Sequence, residues 1–200
     1  KGLHAARGEY VLFLNADDFL VSPATLADAM GVACAGGTAA DLAVGDVVMG
    51  MPGRFGPWRK RRVPRMLGRV RGTGLFPVHQ GVFARRDVLV EQGGLDADLR
   101  LAADVTQFYD LERRAGLVVR RLGFAVACMR PGGAANSGAR AIWDGSREIY
   151  RHLRRRHAAP RAAAMVATKT FQSLSELRLG RCPASRWFAE DSAAPVVAPA

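Results

Sequence analysis

Glu9-Tyr10-Val11-Leu12-Phe13-Leu14-Asn15-Ala16-Asp17-Asp18 is the stretch on which the fold turns. Tyr10 to Leu14 is apolar without alternation, the pattern of a strand covered on both faces. Asn15, Asp17 and Asp18 follow at its carboxyl end, where open α/β sheets bind ligands. Two neighbouring carboxylates are costly to bring together unless a cation joins them. A hard divalent metal that also holds a phosphate meets that need. Asn and Asp are equally at home in turns, so a strand ending in an acidic turn accounts for the same residues.

Outward from this stretch, strands and helices alternate, which gives α/β. Ser22-Pro23 is a helix start, with Leu26, Met30 and Ala33 on one stripe and Gly36-Gly37 as the stop. Asp41 to Val48 reads as a second buried strand. Leu75 to Phe83 is again apolar around Pro77, His79 and Gln80, and Arg85 to Val90 forms a short helix ending at Gly93-Gly94. Val105, Phe108, Leu111 and Ala115 recur at helical spacing, which places Asp104 at a helix N-terminus. An acid there is favoured by capping and by the helix dipole, so its presence has a structural explanation as well as a chemical one. Leu117 to Val119 and Leu122 to Cys128 read as a pair of strands. Trp143 to Arg156 and Arg161 to Leu179 read as helices separated by Pro160. Ile142, Ile149, Leu153, Met165, Leu174 and Leu177 face inward in this reading.

Composition narrows the partners. The 200 residues suit one domain, and 49% are hydrophobic, so the chain builds a core. No apolar run approaches the ~20 residues that cross a bilayer. Cys34, Cys128 and Cys182 are too far apart for a metal site and read as thiols in a reducing compartment. The formal net charge is +11, carried almost wholly by Arg, since Lys1, Lys60 and Lys169 are the only lysines. Such a surface favours anions: nucleotide phosphates, lipid headgroups or nucleic acid. No nucleic-acid motif is present, although Trp58 sits within an Arg/Lys stretch, and that partner is set aside. Between Gly50 and Gly74 the chain is rich in Gly, Pro and Arg, as in a solvated segment or a basic loop over a site. Arg151, Arg154, Arg155, Arg156 and Arg161 form a second basic group that could meet an anionic membrane surface.

Four segments in order carry a resemblance. Ala6 to Asp18 resembles the A-x-G-E-Y-[IV]-x-F-L-[DN]-[AS]-D-D segment of family-2 inverting glycosyltransferases of the GT-A fold. Ala40 to Val47 resembles their A-D-[ILV]-V-Y-G-D strand, and Pro77 to Arg86 their P-x-x-H-Q-[GS]-x-F-x-[RK]-R segment. Gly93-Gly94-Leu95-Asp96 through Ala103-Asp104 resembles G-G-F-D…[ED]-D. The likeness covers roughly residues 1 to 135 and leans towards bacterial enzymes of exopolysaccharide or glycolipid assembly.

The resemblance implies a GT-A-type (Rossmann-like) mixed sheet flanked by helices. It implies a nucleotide-sugar donor, a saccharide or lipid-linked hydroxyl acceptor, Mg²⁺ or Mn²⁺, and a cytoplasmic site at the inner face of the membrane. Asp18 would be the metal ligand, with Asn15 and Asp17 beside it on the donor diphosphate. Asp104 would be the catalytic base, with His79, Gln80 and Asp96 on the acceptor side. The chain departs from the pattern at Asn15, where many members have Asp, and at Ala103, where the acid next to the base often stands. Gly132-Gly133 is not promptly followed by Ser, and Pro183 replaces the Gln of a Gln-x-x-Arg-Trp motif at Arg186-Trp187. The expected organisation is a partial GT-A domain over residues 1–135, basic helices over 136–182 and a disordered tail over 183–200. The family's first strand–helix units would precede Lys1. A catalytically inactive glycosyltransferase-like module that binds a membrane or a partner is the alternative reading.

Overall fold

The computed structural model describes residues 1–49, 59–61, 78–112, 114, 116–129 and 139–178. Most of the basic Gly50–Gly74 stretch, the Gly132-Gly133 loop, Cys182 and the C-terminal tail lie outside these residues.

The elements in order are α1 (Gly2–Ala5), β1 (Tyr10–Leu12), β2 (Phe19–Leu20), α2 (Thr25–Ala33), β3 (Leu42–Met49) and β4 (Arg59–Arg61). A 3₁₀ turn at His79–Gly81, the second after Ala35–Gly37, leads into β5 (Val82–Arg85) and α3 (Arg86–Glu91). Then come α4 (Ala103–Glu112), β6 (Val119–Met129), α5 (Ala139–Arg154) and α6 (Ala159–Arg178). The strands form one mixed sheet in the order β1-β5-β3-β6-β2, with β4 also paired to β3. β3 and β6 are parallel, while the β1–β5, β3–β5, β3–β4 and β2–β6 pairs are antiparallel.

Period-2 alternation distributes the strand side chains between two layers. Leu42 and Val44 of β3, Val82 and Ala84 of β5 and Val11 of β1 face α3, α4, α5 and α6. Ala43, Phe83, Tyr10 and Leu12 face the other way, onto α2 through Ala29 and Ala33. The register agrees, because Val11 lies opposite Ala84 and Ala84 opposite Leu42. The first-face cluster also takes in Ile149 and Leu153 of α5 and Ala162 and Met165 of α6. The basic helices therefore share a core with the sheet.

Several local readings shift. β1 is three residues long and half-buried at one end of the sheet path, because its pairing is with β5 alone among the described strands. The expected strand pair over 117–128 is one eleven-residue strand, β6, bent at Gly123, whose φ of 80° lies in the left-handed region that glycine tolerates. α2 begins at Thr25 rather than at Pro23. The Ser22 hydroxyl instead accepts a bond from the Ala24 amide in the turn before it. Leu26 and Ile142, expected inside, are 50% and 45% exposed. In α2 the small Ala29 and Ala33 make the contact, so the helix approaches the sheet closely and Leu26 falls to its flank. Pro160 falls in the first turn of α6, where a missing N–H costs nothing.

Candidate functional site

The acidic stretch leaves β1 and turns back on itself, with the Asp18 amide donating to the Asn15 carbonyl at 3.1 Å. This turn separates the two carboxylates. Asp17 is exposed, whereas Asp18 is only 9% exposed. Asp18 Oδ2 accepts bonds from Asn15 Nδ2 at 3.0 Å and from Gln80 Nε2 at 2.9 Å. Gln80 is 1% exposed; its Nε2 also lies 3.1 Å from Met129 Sδ, and its Oε1 has no partner. Two amide donors thus converge on one oxygen of this buried side chain.

The residue beside Gln80 reaches the opposite way. His79 Nδ1 lies 2.9 Å from Asp104 Oδ2, and Asp104 stands in the first turn of α4. Burial alone would push the Asp104 carboxyl up. The His79 bond and charge, the Val105 amide and Lys169 outweigh it and hold the group below the ordinary carboxylate range. Asp104 is nevertheless 37% exposed and His79 20%, so a small molecule can reach the pair. One dipeptide in a single 3₁₀ turn therefore grips both acids, Asp18 on one hand and Asp104 on the other.

Two glycines hold that turn in place. A β-carbon on Gly81 would stand 2.5 Å from the Gly45 carbonyl oxygen and 3.1 Å from Val47 Cγ2. One on Gly45 would stand 2.6 Å from Val126 Cγ2 and 2.8 Å from the Phe124 carbonyl oxygen. Only with hydrogen at both positions can the turn rest directly on β3, and β3 on β6. The α4 side is fixed by α5. Glu148 Oε2 accepts from the Leu101 and Ala102 amides at 2.9 and 3.0 Å, and Oε1 from Arg100 at 3.3 Å. Glu148 was not singled out from the sequence. An acid immediately before the inward Ile149 in an otherwise Arg-rich helix was the available signal.

The candidate residues thus divide. Asn15, Asp18 and Gln80 form one connected group, His79 and Asp104 form the adjoining pair, and Asp17 is exposed beside the first. Asp96 stands apart. Its Oδ1 accepts from the Asp98 amide, and it lines a depression on the far side of α4. Among the described residues no three His, Cys, Asp or Glu side chains gather as a metal centre. A Mg²⁺-type ion needs only one or two carboxylates besides the phosphates of its substrate, and in this turn Asp17 is the exposed carboxylate.

A mixed sheet covered on both faces by helices is an α/β architecture of the GT-A type. Solved structures of Staphylococcus aureus TarS (residues 1–349) share it. The superposition covers 86% of this chain and 49% of that one, at 16% identity and a TM-score of 0.50. TarS in complex with UDP matches at 17% identity and a TM-score of 0.52, over 86% of this chain and 49% of that one. TarS with UDP-GlcNAc matches at 19% identity and a TM-score of 0.52, over 86% and 51%. The chain spans about half the length of these neighbours. No protein-family model and no curated protein sequence matches it.

Proposed function

We propose that this chain carries the diphosphate and acceptor side of a nucleotide-sugar-dependent glycosyltransferase that inverts the anomeric centre. The observation that carries the reading is the His79-Gln80 dipeptide, which bonds Asp104 through one residue and Asp18 through the other. Two solved neighbours hold UDP and UDP-GlcNAc, which supports a nucleoside-diphosphate sugar of hexose type as donor.

In this reading Asp104 takes the acceptor's proton. An acceptor hydroxyl oxygen attacks the anomeric carbon as the bond from that carbon to the diphosphate oxygen breaks. Its proton passes to the Asp104 carboxylate, and the electron pair leaves with the diphosphate. A single displacement with a single base inverts configuration. Asp104 is ionised at neutral pH as any ordinary carboxylate is. Its lowered pKa makes it a weak base that takes the proton only as the attack develops, and His79 orients it. Asp18, with Asp17 and Asn15 beside it, would hold Mg²⁺ or Mn²⁺ against the diphosphate. Such an ion neutralises charge on a leaving diphosphate. The acceptor we favour is a saccharide or lipid-linked sugar of exopolysaccharide or glycolipid assembly, in keeping with the sequence resemblance.

The test uses the full-length protein containing this chain. Hydrolysis or transfer from a UDP-sugar should require Mg²⁺ or Mn²⁺. Asp104→Asn should lower kcat by at least about 100-fold, the usual worth of a general base, and Asp18→Ala should remove the metal-dependent turnover. Normal turnover in both variants would refute the mechanism. A second reading, a non-catalytic module docking on anionic lipid, is favoured by one observation. Arg140, Trp143, Arg147, Arg151 and Arg154 recur every three or four residues along one exposed side of α5.

A further inference from the structure

On the other side of α4 from the Asp104–His79 pair lies a depression of about 510 Å³, bounded by the Gly93-Gly94 turn, α4 and the end of α5. Its size is that of a small-molecule site. Its walls are polar, and their polar groups are incompletely matched. Gln92 Oε1, Gln107 Nε2 and His152 Nδ1 are buried without a hydrogen-bond partner. Gln107 and His152 are 4% and 8% exposed. Leaving such a group unpaired costs about 1–3 kcal/mol, so three among the lining residues favour a ligand that offers both donors and acceptors.

Charge supplies the second constraint. His152 Nε2 and Arg156 Nη1 approach Asp110 at 3.1 and 2.9 Å, so that carboxylate is already engaged by both neighbours. Arg155, exposed at the rim, has no carboxylate partner among the described residues. Across the depression Asp96 and the Gln92 carbonyl offer acceptors. Amides and a carboxylate on one side suit hydroxyl groups; a guanidinium at the mouth suits a phosphate or carboxylate, which it can grip with two N–H groups.

We propose that this depression is a second ligand site, for a monosaccharide-sized hydroxylated anion such as a sugar phosphate, separate from the Asp18–Asp104 site. The amides of Gln92 and Gln107 and the His152 ring take the hydroxyls, and Arg155 takes the charge. Because Thr106, Gln107 and Asp110 of its wall belong to the same helix as Asp104, occupancy bears on the helix that carries the proposed base.

The experiment is calorimetric titration of the full chain with glucose 6-phosphate, glucose and inorganic phosphate at matched ionic strength. The expected result is saturable binding of glucose 6-phosphate, with glucose and phosphate each weaker by about tenfold or more, the scale of one lost charge-assisted contact. Arg155→Glu, at an exposed position that leaves the core untouched, and Gln107→Leu should each weaken binding by a similar factor. Asp18→Ala should leave it unchanged. Absence of saturable binding, equal binding of inorganic phosphate alone, indifference to both wall variants, or loss on Asp18→Ala would each overturn the proposal. Parallel titration with UDP reports on the donor site independently, so failure of one site is not read as failure of the other.

Discussion

Asp104 carries two opposed influences that can be separated by one substitution. Burial raises its carboxyl, and His79 is the largest of the groups that bring it down. His79→Ala should therefore move the Asp104 titration upward, followed by carbon NMR of the side-chain carboxyl, with the acid limb of any kcat/KM profile moving the same way. An unchanged titration would show that His79 does not govern the base. The linkage to stability has a definite sign. A carboxyl whose folded pKa lies below its unfolded value of about 3.9 stabilises the fold fully above that value, and the contribution fades as pH falls through the folded pKa. Because the side chain is more than one-third exposed, solvent screening keeps that contribution to about 1 kcal/mol or less. Asp104→Asn should thus lower stability at neutral pH by about 1 kcal/mol or less and flatten the fall toward acid pH, where variant and parent converge.

At the scale of elements, the site depends on how closely the His79–Gly81 turn rests on β3. Gly81→Ala would press a methyl against the Gly45 carbonyl oxygen, a backbone atom that cannot rotate away. Overpacking of this kind costs about 1–3 kcal/mol. Thermal melts should show Tm lower by roughly 2–4 °C per kcal/mol lost, together with weakened coupling of Asp18 to Gln80. Gly31→Ala, in α2 with open space around its β-carbon, should be neutral or slightly stabilising and serves as the control. The strand at Asp41–Val48, the helix beginning near Asp104 and the acidic turn after β1 were all legible, because each rests on local periodicity or turn chemistry. What local pattern could not reveal was pairing. An unbroken apolar run says that Tyr10 to Leu14 is covered, but not that its partner is the antiparallel β5. The adjacency of His79 and Gln80 says nothing of their opposite directions, since only the 3₁₀ turn sends one to Asp104 and the other to Asp18. Asp96 was read with His79 and Gln80 on the acceptor side, yet it follows the left-handed turn at Gly93 and Gly94 and lines the depression beside Thr106, Gln107 and Asp110.

For the whole molecule, the charge along α5 divides between an inward and an outward side. The inward side of α5 is committed: Ile149 and Leu153 to the core, Glu148 to the approach to α4, His152 to Asp110. Its outward side carries Arg140, Arg147, Arg151 and Arg154 with Trp143, which is 71% exposed. An exposed indole among guanidiniums matches the membrane interface, where the ring sits at headgroup level and each cation near an anionic surface contributes about 1 kcal/mol. Among the described residues no helix is long and apolar enough to cross a bilayer, so contact through this face would be lateral. Sedimentation with phosphatidylglycerol-containing vesicles should then pull the protein down, with little binding to phosphatidylcholine alone and release by salt. The Arg147→Ala/Arg151→Ala pair should weaken binding by roughly 30-fold, as two such charges require, and Trp143→Ala should weaken it further while leaving metal-dependent UDP binding intact. If the vesicle interaction survives all three changes, α5 is a solvated basic face. If it survives in salt as well, the attraction is not electrostatic and must come from another part of the chain.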